Sequence, residues 1–169
     1  LAFEACSNGF KVIGFDTSTD ILESLNSHKS HIDDLEDTQI KKMFDSGFLA
    51  TDDPSLARKA DNIIVCVPTP LSDVGSPDLD AVINASKMIA SWIKPGALVS
   101  LESTTYPGTT DGIFLKFLEE GSGLKAGKDF SLVYSPERID PGNKDYTLSN
   151  TPKIVGGFTE NCGKTGKDF

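Results

Sequence analysis

The stretch NIIVCVP, residues 62–68, decides the fold class of this chain. After Asn62 it is an unbroken apolar run that ends at a proline, which is typical of a strand covered on both faces. Similar runs follow at 97–103 (ALVSLES) and 131–137 (SLVYSPE), and a shorter one precedes them at 11–16 (KVIGFD). These runs predict a sheet of parallel strands.

Segments with apolar residues at helical spacing separate these runs, and alternation of this kind is typical of an α/β fold with helices on both faces of the sheet. The first predicted helix surrounds Ala5 and ends at Gly9. Further helices are predicted over 20–26, over 38–44 after Asp37 as N-cap, from Ser76 as N-cap with Pro77 in the first position, and over 110–120 before a closing Gly121.

Length and composition exclude several classes of protein. The 169 residues suffice for one sizeable core, and the net charge of −9 argues against a nucleic-acid partner. No apolar run is long enough to span a bilayer, so no membrane association is predicted. The three cysteines show neither a CxxC pair nor metal-ligand spacing, which fits a reducing cytoplasm and no metal site. Cys66, in the middle of an apolar run, is predicted to be an inert core thiol.

Polar residues follow each predicted strand, and ligands of open parallel sheets bind just beyond the carboxyl ends of the strands. These residues are Asp16, VPTP at 67–70, STTYPGTT at 103–110 and SPERIDPGN at 135–143. Asp16 is placed either to accept hydrogen bonds from an adenosine ribose or to cap the next helix. Loops on one edge of a sheet are neighbours, so we expect all four to meet in one crevice.

Two of these loops carry groups suited to catalysis. Ser103 and Thr104 offer hydroxyls to a water or a substrate, whereas Thr109 or Thr110 is predicted as the helix N-cap. Glu137 can serve as a general base and Arg138 can bind an anion, the alternative being a surface ion pair between the two. Thr69 lies between two prolines in a stiff loop that exposes its hydroxyl.

Taken together, GFKVIGFD, IIVCVPTPL, LESTTYPGTT and SPERIDPGNKDYTLSNTPKIVGG resemble the N-terminal domain of the UDP-glucose/GDP-mannose dehydrogenase family. The second half of this set is most similar to the branch that oxidises UDP-N-acetylglucosamine or UDP-N-acetylmannosamine. The resemblance implies a Rossmann-like parallel sheet, NAD as the cofactor, and oxidation of the C6 alcohol of a UDP-sugar to a carboxylate in two hydride transfers. It also implies a homodimer for the full-length protein and a role in surface polysaccharide synthesis.

The resemblance also implies roles for single residues. Asp16 binds the adenosine ribose, and the cofactor site is lined by Val67, Pro68, Thr69, Ser103 and Thr104. Thr104 also holds a catalytic water. Glu137 stands beside the reacting sugar as a catalytic residue, and Glu137, Arg138 and Ile139 contact the substrate.

Three features of the family are missing from these residues: the first strand with its glycine-rich loop, the nucleophilic cysteine, and a basic residue where this chain has Ile21. We therefore expect 1–157 to be a partial NAD-binding domain and 158–169 to begin a helix that leads to further domains. By itself the chain is expected to turn over no substrate. The alternatives are a non-catalytic nucleotide-binding module and another Rossmann dehydrogenase, of the hydroxyacid or 6-phosphogluconate type.

Overall fold

The structure is a computed structural model that describes residues 1–32, 34–71, 75, 77–138 and 150–169. The chain forms two compact units, one built mainly from Leu1–Ala60 and the other from Asp61–Arg138 and Pro152–Phe169. Two residues named in the sequence predictions, Ser76 and Ile139, lie outside the described residues. Within the described part of the chain, no helix has the length and apolar character needed to cross a membrane.

The first unit has a pair of parallel strands with helices packed against them. Its elements are α1 (Ala2–Ser7), β1 (Ile13–Phe15), α2 (Thr19–Asn26), α3 (Asp37–Asp45), β2 (Leu49–Thr51) and α4 (Pro54–Ala57). Gly9 has a φ of 84° just beyond α1, which confirms it as the residue that ends this helix. The core of this unit contains Cys6, Leu22, Leu25, Ile40, Met43, Phe48 and Ala50.

The predicted N-cap of α3 was wrong by one residue. Glu36 is the cap, and its backbone amide donates to Gln39 Oε1 at 2.9 Å in a capping box. Asp37 is the first residue of the helix, and its carboxylate instead accepts from the Ser30 amide and from Lys29 Nζ. Together these two contacts lower the pKa of Asp37, with the Lys29 hydrogen bond as the larger cause.

The second unit is built on four adjacent strands. Its elements are β3 (Asn62–Val65), α5 (Asp80–Ala90), β4 (Leu98–Leu101), a π-helix (Thr109–Phe114), α6 (Leu115–Ser122), β5 (Ser131–Tyr134), β6 (Gly156–Gly157) and α7 (Glu160–Asp168). The strands lie in the order β3-β4-β5-β6. The first three are parallel, with Val65, Leu101 and Tyr134 abreast, and β6 is antiparallel to β5.

Helices cover both faces of this sheet, as predicted. Residues of α5, α6 and the alternate positions of the strands form the larger core, which includes Val65, Val82, Ile89, Val99, Leu101, Phe114, Leu118 and Leu132. The other face carries Leu98 and Val133, which pack against Cys162 of α7. Strand residues therefore alternate between two apolar layers, which explains why the strands read as continuous apolar runs.

Two further helix boundaries differ from the sequence prediction. Helix α5 begins at Asp80 because Pro77 forms a bridge with Leu71 and the Asp78 carboxylate accepts from the Asp80 amide. Gly121 lies inside α6, where a Cβ would approach the Ala90 side chain at 2.7 Å, so it permits close helix packing. The helix ends at Gly123, whose φ of 72° is left-handed.

The pairing of strands follows the doubly wound pattern. Strand β1 pairs with β2, and β3, β4 and β5 lie side by side in that order. If these five strands are given the numbers 2 to 6, the pairings become 2–3 and 4–5–6. These are the pairings of a sheet of order 3-2-1-4-5-6 without its strand 1. The structure therefore confirms an α/β fold of Rossmann type in which the first strand is not among the described residues.

The two glycines of β6 provide a test of the packing of α7. A Cβ on Gly157 would lie 2.1 Å from the backbone nitrogen of Gly163, whereas a Cβ on Gly156 would meet only Tyr134 O at 3.7 Å. We expect Gly157→Ala to lower the free energy of unfolding by about 3 kcal/mol or more, because backbone must move. Gly156→Ala should change it by less than about 1 kcal/mol. Urea denaturation of both variants checks this difference, and equal effects would contradict the close approach of α7.

Candidate functional site

Two loops at the carboxyl ends of β3 and β4 are joined by hydrogen bonds. Ser103, which is buried, donates from Oγ to Val67 O at 2.7 Å. Thr69 Oγ1 donates to Thr104 O at 2.5 Å. The structure thus brings together the residues from Val67 to Thr69 with Ser103 and Thr104, as predicted from their positions after adjacent strands.

These bonds also define which atoms can meet a ligand. The hydroxyl protons of Ser103 and Thr69 are committed to backbone carbonyls, so their oxygens can only accept further hydrogen bonds. Thr104 is exposed, and none of the hydrogen bonds among the described residues uses its hydroxyl. The Thr104 hydroxyl can therefore both donate to and accept from a water or a substrate.

The end of β5 carries Ser135, Glu137 and Arg138. The Glu137 carboxylate is exposed and accepts from the backbone amide of Arg138 at 2.7 Å. The guanidinium of Arg138 instead reaches Pro152 O, with its Nη1 at 3.4 Å. The contact between Glu137 and Arg138 therefore runs through the backbone, which disfavours the alternative of a side-chain ion pair between them.

Ser135 stands out because it is buried at the edge of this site. Only 2% of the residue is exposed, and its Oγ has no hydrogen-bond partner among the described residues. Buried hydroxyls are normally paired, so an unpaired one at a strand end marks a place where a ligand or a water can bind. The sequence prediction overlooked Ser135, although its position directly after a buried strand was a usable signal.

The sequence prediction also overlooked an ion pair between Glu102 and Lys153 at the same sheet edge. Glu102 follows β4, accepts from Ser100 Oγ at 3.0 Å, and forms an ion pair with Lys153 Nζ. A usable signal was the single carboxylate in an otherwise uncharged, buried run, because a buried charge needs a partner.

Cys66 follows β3 and is exposed, so the prediction of an inert core thiol was wrong about its location. The strand ends one residue earlier, at Val65, which places Cys66 at the sheet edge. Desolvation by the surrounding protein atoms, and next the Glu102 carboxylate, raise the pKa of Cys66 to about 11. The thiol is therefore protonated and a poor nucleophile at neutral pH.

Two further predictions concern helix caps. Thr109 and Thr110 do not cap the helix after β4, because Gly108 is the cap residue and has a φ of 91°. Thr109 is buried, accepts from Thr105 Oγ1 at 2.6 Å and donates to Tyr106 O. A π-helix follows, a rare geometry that is frequent near functional sites.

In the first unit, Asp16 follows β1 and does not cap α2. Its amide donates to Thr51 O at 3.2 Å, and its Oδ1 accepts from the Ser18 amide at 2.8 Å. Ser18 is the residue that caps α2, since its Oγ accepts from the Ile21 amide. This arrangement removes the capping alternative and leaves Asp16 Oδ2 without a hydrogen bond among the described residues.

Metal binding finds no support in the described residues, which contain no group of three or more His, Cys, Asp or Glu residues that could hold an ion. The polar groups described at the ends of β3, β4 and β5 are hydroxyls, backbone carbonyls, carboxylates and one guanidinium. Such groups suit a polar organic ligand and proton transfer.

Cys66 provides a chemical test of this site. At pH 8 we expect Cys66 to react with iodoacetamide roughly a hundred times more slowly than a free thiol, because only the thiolate attacks and its pKa is about 11. Glu102→Gln should increase this rate by removing a nearby negative charge. Glu160→Gln, an exposed site in the first turn of α7, is the control and should leave the rate unchanged. Mass spectrometry of the Cys66 peptide measures the rate, and rapid alkylation of the unmodified sequence would contradict the raised pKa.

A comparison with protein families gives an independent result. The model of the NAD binding domain of the UDP-glucose/GDP-mannose dehydrogenase family matches residues 2–169. The UDP-N-acetyl-D-mannosamine dehydrogenase of Pyrococcus horikoshii is 36% identical over 156 residues, which are 91% of this chain and 37% of that protein. The UDP-N-acetyl-D-glucosamine 6-dehydrogenase of Pseudomonas aeruginosa is 34% identical over 148 residues, 88% of this chain and 35% of that protein.

The fold is similar to solved structures of the same kind. The structure of the UDP-D-ManNAc dehydrogenase from Pyrococcus horikoshii superposes with a TM-score of 0.91 and 33% sequence identity. The match covers 99% of this chain and 40% of that one. The chain thus spans about a third to two fifths of the length of the relatives it matches.

Proposed function

Since this chain belongs to the UDP-glucose/GDP-mannose dehydrogenase family, we propose that it is the NAD-binding part of a dehydrogenase that oxidises the C6 alcohol of a UDP-N-acetylhexosamine to a carboxylate. One observation carries the proposal: Thr104 and Glu137 follow neighbouring parallel strands of a chain that the family model matches from residue 2 to residue 169. NAD is the cofactor of this family's N-terminal domain. The family match argues against the hydroxyacid and 6-phosphogluconate alternatives.

Each unit by itself offers groups suited to one part of a dinucleotide. Asp16 Oδ2 is available to accept from a ribose diol, and a carboxylate at this position favours NAD over NADP. The acceptor oxygens of Thr69 and Ser103 suit the amide group of a nicotinamide. The unpaired, buried Ser135 Oγ marks a polar contact at the same edge as Thr104 and Glu137. These features support the assignment of Asp16, Val67, Pro68, Thr69, Ser103 and Thr104 to the cofactor site.

The reaction removes two hydrides from the sugar carbon and adds one water. When bound, NAD would accept each hydride. In our proposal Glu137 takes a proton from the reacting hydroxyl or from the attacking water, because its carboxylate is exposed at the strand end. Thr104 Oγ1 orients that water, and Arg138 and Ile139 contact the UDP-sugar. The Pro152 carbonyl holds the Arg138 guanidinium on one side and leaves other N–H groups for the substrate.

The covalent nucleophile is proposed to lie outside residues 1–169. Cys66 has a pKa of about 11, and burial raises the pKa of Cys6. Cys162, a residue of α7, is fully buried. None of the three thiols is thus both accessible and readily ionised, so we propose that residues 1–169 alone turn over no UDP-sugar. The full-length protein is proposed to be a cytoplasmic homodimer that supplies uronic acid units for a surface polysaccharide.

The first test is an assay of the full-length protein with NAD and a UDP-sugar. We expect two NADH for each UDP-N-acetylglucosamine or UDP-N-acetylmannosamine consumed, measured at about 340 nm against product quantified by chromatography, because each oxidation step yields one hydride. UDP-glucose and 6-phosphogluconate are the comparison substrates. Absence of NADH with every nucleotide sugar would contradict the proposed function.

The role of Glu137 is tested by Glu137→Gln in the full-length protein. We expect kcat to fall by about 10²- to 10⁴-fold, because the amide cannot accept a proton. NAD affinity should stay the same. Glu160→Gln removes an equal charge from an exposed position of α7 and should leave kcat unchanged. Retention of more than a tenth of kcat in Glu137→Gln would exclude the carboxylate as the main base.

Asp16 is tested by its effect on cofactor choice. We expect Asp16→Asn to weaken NAD binding by about 10- to 100-fold, since a charge-assisted hydrogen bond contributes roughly 1.5–3 kcal/mol. The preference for NAD over NADP should also shrink, because the repulsion of the 2′-phosphate is lost. Asp20→Asn removes an exposed charge from α2 and serves as the control. Isothermal titration with both cofactors measures the change, and unchanged NAD affinity would exclude the ribose contact.

A further inference from the structure

The ion pair between Glu102 and Lys153 joins the residue directly before Ser103 to the residue directly after Pro152, and it includes none of the atoms proposed to react. It joins residues 51 positions apart in the chain. We propose that Glu102 and Lys153 are positioning residues: their ion pair holds the loop of Ser103 and Thr104 in a fixed relation to the segment that supports Arg138. The expected effect of this ion pair on kcat rests on the proposed function, whereas its expected effect on the opening of the loop backbone does not.

The low exposure of the Glu102 side chain distinguishes this ion pair from the others. The Glu102 and Lys153 side chains are 9% and 30% exposed, whereas those of Lys94 and Asp61 are 45% and 84% exposed. In the remaining ion pairs among the described residues, Lys29–Asp37 and Lys125–Glu119, the lysine is more than half exposed. An exposed ion pair contributes little stability and so restrains the backbone little, whereas a buried carboxylate that loses its partners is strongly destabilising.

Glu102 connects the pair to the loop of β4. Its amide donates to Val65 O at 2.9 Å and so extends the sheet ladder by one residue. Its carboxylate is held by Ser100 on one oxygen and by Lys153 on the other. Ser103 and Thr104 follow Glu102 directly in the chain. Ser103 Oγ donates to Val67 O, and Thr104 O accepts from Thr69 Oγ1, so both hydrogen bonds lie next to a residue that is itself held in place.

Lys153 connects the pair to the loop of β5. It directly follows Pro152, whose carbonyl accepts from Arg138 Nη1 at 3.4 Å. The Lys153 ammonium therefore anchors the backbone on which the Arg138 guanidinium rests. Glu137 is bound in turn to the Arg138 amide. Through these contacts one ion pair links the loop with the water-orienting hydroxyl to the loop with the general base.

The mechanical part is tested by hydrogen exchange in the full-length protein. We expect Lys153→Met to increase amide exchange at residues 103–105 and at Arg138 by about tenfold or more, since local opening becomes easier when the carboxylate loses its partner. Lys153→Arg keeps the charge and should restore slow exchange. Lys125→Met, which breaks an exposed pair in the same unit, should leave these amides unchanged. Unchanged exchange in Lys153→Met would overturn the proposal.

The catalytic part is tested by kinetics of the same variants. We expect Lys153→Met and Glu102→Gln to lower kcat by about 10- to 100-fold, because small displacements of reacting groups are costly. The double variant should lose less than the product of the two single losses, since both remove one interaction. Rates are normalised to the number of NAD sites. A lower melting temperature with normal kcat per site would overturn a positioning role and leave only a structural one.

The two proposals fail in different ways. If the unsubstituted full-length protein oxidises no nucleotide sugar while exchange in Lys153→Met still increases, the reaction is wrong and the link between the loops stands. If the protein is active and both kcat and exchange are insensitive to Lys153→Met, the dehydrogenase assignment stands and the positioning role is refuted.

Discussion

The parallel register of β3, β4 and β5 is the constraint on which the second unit depends. Because Val65, Leu101 and Tyr134 lie abreast, the strands end level and the chain leaves all three at one edge. Only strands that end level allow a side chain of one loop to reach the backbone of the next, as Ser103 does to Val67 and Thr69 to Thr104. Two apolar layers hold the strands in this register, so the site depends on packing on both faces of the sheet.

The same edge shows how the surroundings of a side chain determine its chemistry. Desolvation raises the pKa of Cys66 far above neutrality, which keeps this thiol uncharged beside the Glu102 carboxylate. The carboxylate itself is compensated by Ser100 and Lys153. Glu137, by contrast, is exposed and can exchange protons with a ligand. Neighbouring acidic groups at one sheet edge are thus suited to different tasks, one to holding loops and one to proton transfer.

The strands and the joining of their loops followed from pattern, but several local details did not. The apolar runs predicted β1, β3, β4 and β5, because a strand buried on both faces leaves a continuous signal. Helix ends were less predictable, since Pro77 pairs with Leu71 and Gly121 serves packing against Ala90. Proline and glycine commonly mark the ends of helices. Only the tertiary contacts show that Pro77 and Gly121 do not mark helix ends here. Ser135 and Lys153 were overlooked for the same reason, because their importance lies in what surrounds them.

The sequence by itself determined the alternation of strands and helices, the family, and the polar residues that follow each strand. These are local properties, fixed by side-chain periodicity and by residue types at given positions. The tertiary structure alone decided which hydroxyls donate hydrogen bonds to backbone carbonyls, which thiol is exposed, and that Lys153 pairs with Glu102. Those outcomes depend on distances between residues far apart in the chain and on the water removed between them, and neither is encoded in any short stretch of sequence.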